Sequence, residues 1–108
     1  MPTLKPSAFD LCVLAERRGV FLPLNSALDL LRASLTLKRW AESECSDPDE
    51  TRRARSQKRG EAALKRARAI CAALKLNLYH QSDPRGCALY VSSEPLTAQN
   101  YPNGIAVC

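Results

Sequence analysis

The chain has 108 residues, of which 45% are hydrophobic and 25% charged, and its formal net charge is +5. This composition is typical of a globular protein and excludes a collagen or a disordered tail, while the length predicts a single domain over residues 1–108. No apolar run approaches the ~18 residues that a membrane span needs, so we expect no membrane partner.

Residues 8–45 are predicted to be helical. The preceding residues 1–7 carry two prolines and are expected to form a flexible lead-in. A short helix is predicted from Ala8 to Arg18, because Gly19 is a residue typical of the position that follows a helix C-terminus.

A second helix is predicted from Ala27 to Glu44, with Asn25 or Ser26 as its N-cap. Its apolar residues recur at three- and four-residue steps and therefore form two adjacent faces. The face expected to lie in the core comprises Leu30, Ala33, Leu37 and Trp40. The other face, a candidate seam for a homodimer, comprises Leu28, Leu31 and Leu35.

A long basic helix is predicted over residues 47–75. Asp47 is expected to be its N-cap, and Pro48 suits the first helical position because it lacks an N–H. An apolar stripe runs from Leu74 back to Gly60 and stops there. We therefore expect the two turns before Gly60 to project, to bend away or to meet a partner.

The positive charge of the chain is concentrated in this helix. Residues 51–76 have a net charge of +8, and the rest of the chain has a net charge of −3. A field so concentrated attracts anionic partners, and arginine binds phosphates and carboxylates through two parallel hydrogen bonds. The alternative interpretation is a solvated helix face. The candidate residues for binding a partner protein or nucleic acid are Arg52, Arg53, Arg55, Lys58, Arg59, Lys65, Arg66 and, outside the helix, Arg85.

These basic residues are not evenly spread around the predicted helix. One arc, about 60° wide at 100° per residue, contains Arg52, Arg55, Arg59 and Arg66. A second stripe contains Lys58, Lys65 and Arg68.

Residues 76–108 change to a two-residue period, which indicates strands. The segments 76–81 and 87–92 predict a β-hairpin, and 104–108 predicts a third strand. The residues with structural roles in the hairpin turn are Asp83, Pro84 and Gly86. The expected fold is therefore α+β, with two or three helices followed by a small antiparallel sheet.

The five cysteines and the one histidine form no recognisable metal or catalytic motif. The cysteine number is odd and no C-x-x-C pair occurs, so we predict reduced thiols, most of them packed as small hydrophobes, and neither zinc nor another cofactor. His80, Asp83 and Arg85 lie close together in sequence, but a hydrolase also needs a charge stabiliser and an enclosed pocket. We predict no catalytic residues and no enzymatic activity.

Two segments of the chain have distinctive motifs. The first is D-P-R-G-C-A-L-Y-V at residues 83–91, followed by Tyr101 and the terminal G-I-A-V-C. The second is a helix end that contains Leu37, Arg39, Trp40, Glu44 and Cys45. Together they resemble a family of small uncharacterised proteins from phages and prophages. The resemblance covers residues 37–45 and 74–108, and it departs at 46–59, where an acidic turn and an arginine-rich helix replace a longer insertion rich in glycine and aromatic residues. It implies a phage accessory protein that acts in the cytoplasm of a bacterial host.

Two functions follow as hypotheses. In the first, the chain is a non-enzymatic phage accessory protein that binds and inhibits a host protein or ribonucleoprotein, as anti-CRISPR proteins do. In the alternative, it is a small nucleic-acid-binding regulator that acts through its arginine-rich helix. Tyr79, Tyr90 and Tyr101 could also stack on bases, but a platform of that kind needs more positive charge than the predicted strands carry.

Overall fold

Three helices precede a three-stranded antiparallel sheet in the computed structural model, which describes residues 7–83 and 86–108. The elements are α1 (Ala8–Arg17), α2 (Leu24–Ser46), α3 (Glu50–Ala73), β1 (Asn77–His80), β2 (Leu89–Ser92), a 3-10 turn (Tyr101–Asn103) and β3 (Ile105–Val107). The strand order is β1-β2-β3. The predicted α+β fold is thereby confirmed, with a strand inside each of the three predicted segments. The predicted lead-in at residues 1–6, together with Pro84 and Arg85, lies outside the described residues.

The first helix, α1, has a complete cap at each end. The Ser7 Oγ accepts a hydrogen bond from the Asp10 N–H at 3.1 Å, and the Asp10 carboxylate accepts one from the Ser7 N–H at 3.2 Å. Ser7 therefore belongs to the fold and not to the lead-in. At the other end Gly19 has a φ of 73°, a left-handed conformation that glycine adopts without a steric penalty. The predicted helix and its glycine terminator are confirmed.

The second helix, α2, begins at Leu24, three residues before its predicted start, so the predicted cap by Asn25 or Ser26 is wrong. The N-cap is Pro23, whose carbonyl accepts the first helical hydrogen bond, from the Ala27 N–H at 2.9 Å. Asn25 and Ser26 instead occupy the first turn, where backbone N–H groups have no partner within the helix. Burial of Leu22 just before Pro23 holds the helix entry against the core.

The third helix, α3, is capped by Asp49 and not by Asp47 as predicted. The Asp49 carboxylate accepts hydrogen bonds from the N–H groups of Thr51 and Arg52 at 2.9 and 3.2 Å, which lower its pKa. Asp47 terminates α2 instead, because its N–H donates to the Ser43 carbonyl at 2.9 Å. The N-cap of α3 is later than predicted because α2 continues to Ser46, and the chain therefore turns between the two helices only over residues 47–49.

The helices α2 and α3 pack closely at Gly60. Among the described glycines, Gly60 leaves the least room for a Cβ atom, because Trp40 of α2 packs against it. The fully buried positions of α3 are Gly60, Ala67 and Cys71, so the prediction that the buried stripe stops at Gly60 is confirmed. However, α3 is continuous through Gly60, and its first turns lie against the end of α2. One contact there is a 2.8 Å hydrogen bond from Arg53 Nη1 to the Asp47 carbonyl. The predicted projection or bend is therefore wrong.

The helices and the sheet share one hydrophobic core. The largest fully buried side chains of the helices are Leu30 and Leu37, and those of the sheet are Leu89, Val91 and Val107. The buried Ser34 hydroxyl of α2 donates a hydrogen bond to the Val107 carbonyl of β3, so a polar group also joins the two layers.

The cysteine prediction is wrong for one pair, because Cys87 and Cys108 form a disulfide with a Cα–Cα distance of 5.3 Å. The antiparallel register that pairs Leu89 with Val107 brings the residues just beyond them together. Cys71, in contrast, is a buried free thiol as predicted, and burial raises its pKa to about 11. Cys12 is a half-buried free thiol, and the free thiol of Cys45 is exposed, so the prediction that most cysteines are packed is also wrong for Cys45.

Candidate anion-binding groove

A groove runs between α2 and α3 on one side of the helical hairpin. It consists of two adjoining hollows of about 420 and 340 Å³, which share Thr36 and Arg59 in their lining. We call it the arginine groove, since six arginines line it: Arg32 and Arg39 from α2, and Arg52, Arg55, Arg59 and Arg66 from α3. Two lining aspartates, Asp29 and Asp47, reduce the net charge of the lining to +4.

Short side chains form the rest of the groove. They are Ala33 and Ser43 from α2, and Ser56, Ala62 and Ala63 from α3. Because none of them extends far from its helix, a ligand can come close to the helix surfaces while the longer arginines reach around it. The Ser43 Oγ is buried and has no hydrogen-bond partner among the described residues.

Ion pairs engage only some of the arginines. Arg52 contacts Asp47 at 3.3 Å and Asp49 at 3.6 Å, and Arg66 contacts Asp29 at 3.6 Å. The side chains of Arg52 and Arg66 remain 63% and 68% exposed, so water screens these pairs. The other four arginines of the groove form no ion pair with any described residue.

The structure divides the basic residues that the sequence indicated. Arg52, Arg55, Arg59 and Arg66, the predicted arc, lie together in the groove. Arg53 is half-buried and is held by the Asp47 carbonyl. Lys58 and Lys65 are exposed on α3 but do not line the groove, and Arg85 lies outside the described residues.

Two groove residues, Arg32 and Arg39, were not among the predicted ones. Their sequence signal is a polar stripe on α2, in which Asp29, Arg32, Thr36, Arg39 and Ser43 follow at three- and four-residue steps. That spacing places these side chains on one face of a helix. Only the antiparallel packing of α2 on α3 reveals that this face adjoins the arginine arc of α3.

The three tyrosines, Trp40 and His80 make ring contacts and lie outside the groove lining. The Tyr79 and Tyr101 rings stack at 4.6 Å, and Tyr90 meets Tyr101 edge to face at 5.0 Å. The Trp40 and His80 rings stack at 6.2 Å, and the Trp40 Nε1 donates to the Glu44 carboxylate at 3.2 Å. The rings of the tyrosines considered for base stacking therefore already contact one another.

His80 is half-buried on β1 beside Trp40. Burial lowers its pKa, and the positive charge of Arg68 lowers it further. The neutral imidazole is consequently favoured in the folded state.

In the neighbouring turn, the Gly86 N–H donates to the Asp83 carbonyl at 3.5 Å, while Gly86 does not have the positive φ that its position was predicted to tolerate.

The predicted dimer seam lies on the surface of α2. Leu28 and Leu35 are 40% and 46% exposed, and Leu31 is half-buried. Leu24, which is 54% exposed, extends the same stripe by one turn. Self-association through this face remains a prediction, and a light-scattering mass of the purified protein would test it.

Comparison with known proteins identifies no relative. No protein-family model, curated protein or solved structure matches the chain. Within residues 7–83 and 86–108, no helix is long and apolar enough to cross a membrane. The same residues contain no group of three or more His, Cys, Asp or Glu side chains that could hold a metal ion.

Proposed function

We propose that this chain is a non-enzymatic binding protein that docks its arginine groove on an anionic surface of a host protein or ribonucleoprotein and blocks it. The observation that carries the proposal is the convergence of six arginines from two helices on one groove of net charge +4. Such a field steers an anionic partner toward the groove and raises the rate of encounter.

The free arginines favour recognition over a purely structural role. A network that only stabilised the helical hairpin would pair its arginines with acidic side chains, yet Arg32, Arg39, Arg55 and Arg59 form no ion pair with any described residue. Four like charges held close together destabilise the isolated protein. An anionic partner removes that repulsion when it binds, which is a reason for the charges to be placed together.

The resemblance to phage and prophage proteins supports a more specific role. It leads us to propose a target within host defence, as for anti-CRISPR proteins, and action in the bacterial cytoplasm. Disulfides are rare in that compartment. Because only α2, α3 and Asp47 between them line the groove, we expect the dithiol form of Cys87 and Cys108 to retain it.

Two charge-reversal variants test the proposal. The groove variant combines Arg55→Glu with Arg59→Glu, and the control variant combines Lys58→Glu with Lys65→Glu on the same helix. Both variants change the net charge equally, and all four residues are exposed, so neither disturbs the core. Far-UV circular dichroism and thermal melts would verify that both variants fold.

The assay is capture of host factors from lysate by the tagged protein, with and without nuclease treatment. We expect the wild type and the control variant to capture the same factor, and the groove variant to lose it. A phage that carries the groove variant should also lose the protection on defended hosts that the wild-type gene provides. Equal capture by all three proteins, or equal phage survival with and without the gene, would contradict the proposal. A nucleic-acid regulator is indicated instead if the wild type captures nucleic acid but no specific host protein.

A further inference from the structure

We infer that the arginine groove binds the phosphodiester backbone of a single nucleic-acid strand. This inference rests on the proposed function, since it names the chemical component of the target that the groove contacts. It departs from the sequence-based hypothesis of a single basic helix, because the proposed site is a two-helix groove that includes α2.

The arginines repeat regularly along both walls of the groove. Arg52, Arg59 and Arg66 follow at seven-residue steps on α3, and Arg32 and Arg39 are also seven residues apart on α2. A seven-residue step advances about 10 Å along a helix, so the α3 row spans about 21 Å. Regularly spaced cations suit a polymer with regularly spaced anions better than the irregular carboxylates of a protein surface.

The width of the groove favours one strand. Packed helices have axes about 8–10 Å apart, and the groove between them is narrower than a nucleic-acid duplex. Alanine and serine side chains also line the groove and are short, so a strand can lie between the arginine rows with its phosphates close to the guanidinium groups. A duplex would meet the groove with only one of its strands.

The chemistry of the lining favours phosphates over bases. Proteins that stack bases present exposed aromatic rings. The groove lining contains arginines but no aromatic side chain. Binding should therefore be electrostatic and independent of base sequence.

The salt dependence of binding follows from the number of free arginines. Arg32, Arg39, Arg55 and Arg59 are available to neutralise about four phosphates, since Arg52 and Arg66 are already ion-paired. On a single strand this predicts a slope of log affinity against log salt of about −2.8. Affinity should then fall about 50-fold between roughly 50 and 200 mM salt.

Fluorescence anisotropy with labelled 20-nucleotide strands tests the inference. The probes are RNA and DNA of two unrelated sequences, with an unlabelled single strand, a duplex and polyglutamate as competitors. We expect both sequences to bind alike, the groove variant to bind at least tenfold more weakly than the control variant, and the salt slope to be shallower for the groove variant. The RNA and DNA probes show which sugar the groove prefers.

Three results would overturn the inference: equal losses in the groove and control variants, binding that does not change with salt, or a duplex or polyglutamate that competes as well as an unlabelled single strand. The inference fails and the proposed function stands if no strand binds and a host protein is still captured after nuclease treatment. In that case the groove variant alone should lose the host protein. If strands bind as expected but no host factor is captured, the inference stands and the proposed function fails.

Discussion

Replacement of Gly60 by alanine should destabilise the protein, although the helical propensities of the two residues predict the opposite. In an exposed helix interior, the change from glycine to alanine stabilises by about 1 kcal/mol. At Gly60, however, a Cβ would lie 2.7 Å from Cδ2 and 3.0 Å from Cβ of Trp40. Both atoms lie near the base of the Trp40 side chain, so they cannot move away without a shift of α2 or a change of rotamer.

The magnitude follows from the two opposing terms. Overpacking of this kind costs about 1–3 kcal/mol, and such short contacts point to the upper part of that range. After the gain in helix propensity, we expect a net loss of about 1–2 kcal/mol in the free energy of unfolding. For a chain of this size the loss lowers Tm by roughly 5–10 °C. Urea denaturation followed by far-UV circular dichroism would measure it.

Two further variants separate the clash from other effects. Ala69→Gly, at an exposed position of α3, reports the propensity term alone and should destabilise by about 1 kcal/mol. In the Trp40→Leu background the clash is removed, so Gly60→Ala should become neutral or stabilising. Stabilisation of the wild-type protein by Gly60→Ala would refute the tight packing of α2 on α3 at Trp40.

Three other predictions concern the cysteines and the histidine. The disulfide joins two cysteines that are 21 residues apart. Its loss in Cys108→Ser, which leaves Cys87 as a free thiol, should lower the free energy of unfolding by about 3 kcal/mol. An unchanged urea midpoint would contradict this prediction. Burial and a pKa of about 11 should make Cys71 react with a thiol reagent at least 100-fold more slowly than the exposed Cys45, as mass spectrometry of the labelled peptides would show. The pKa of His80 is below 6.5 in the folded state, so as pH falls the unfolded chain protonates His80 before the folded chain does. The free energy of unfolding should therefore decrease between about pH 7.5 and 5.5, and this decrease should be smaller in His80→Gln. Identical pH dependence of the urea midpoints in both proteins would contradict it.

Local sequence signals were sufficient for the type and order of the elements. Three- and four-residue apolar spacing predicts α2 and the second half of α3, Gly19 indicates the end of α1, and the change to a two-residue period at residue 76 predicts the sheet. The ends were harder to predict, because several residues near each end could act as the cap. Asp47 and Asp49 are equivalent candidates by residue type, and the length of α2 decides between them.

The sequence indicated the arginines that α3 contributes to the groove but not those that α2 contributes. The arginine arc of α3 follows from helical periodicity, since residues three, four and seven apart share a face. Arg32 and Arg39 belong to a different helix, and their membership depends on which face of α2 meets α3. That contact is determined by Trp40 packing on Gly60, more than 15 residues away in sequence.

The sequence by itself determined the type and order of the helices and strands, the concentration of positive charge in residues 51–76 and the identity of four groove arginines. These are properties of spacing within one segment, which the period of a helix or strand converts directly into geometry. The tertiary structure alone decided the pairing of Cys87 with Cys108 and the joining of two arginine rows into one groove. Both depend on the register between segments distant in sequence, and that register is established by long-range packing that no local period records.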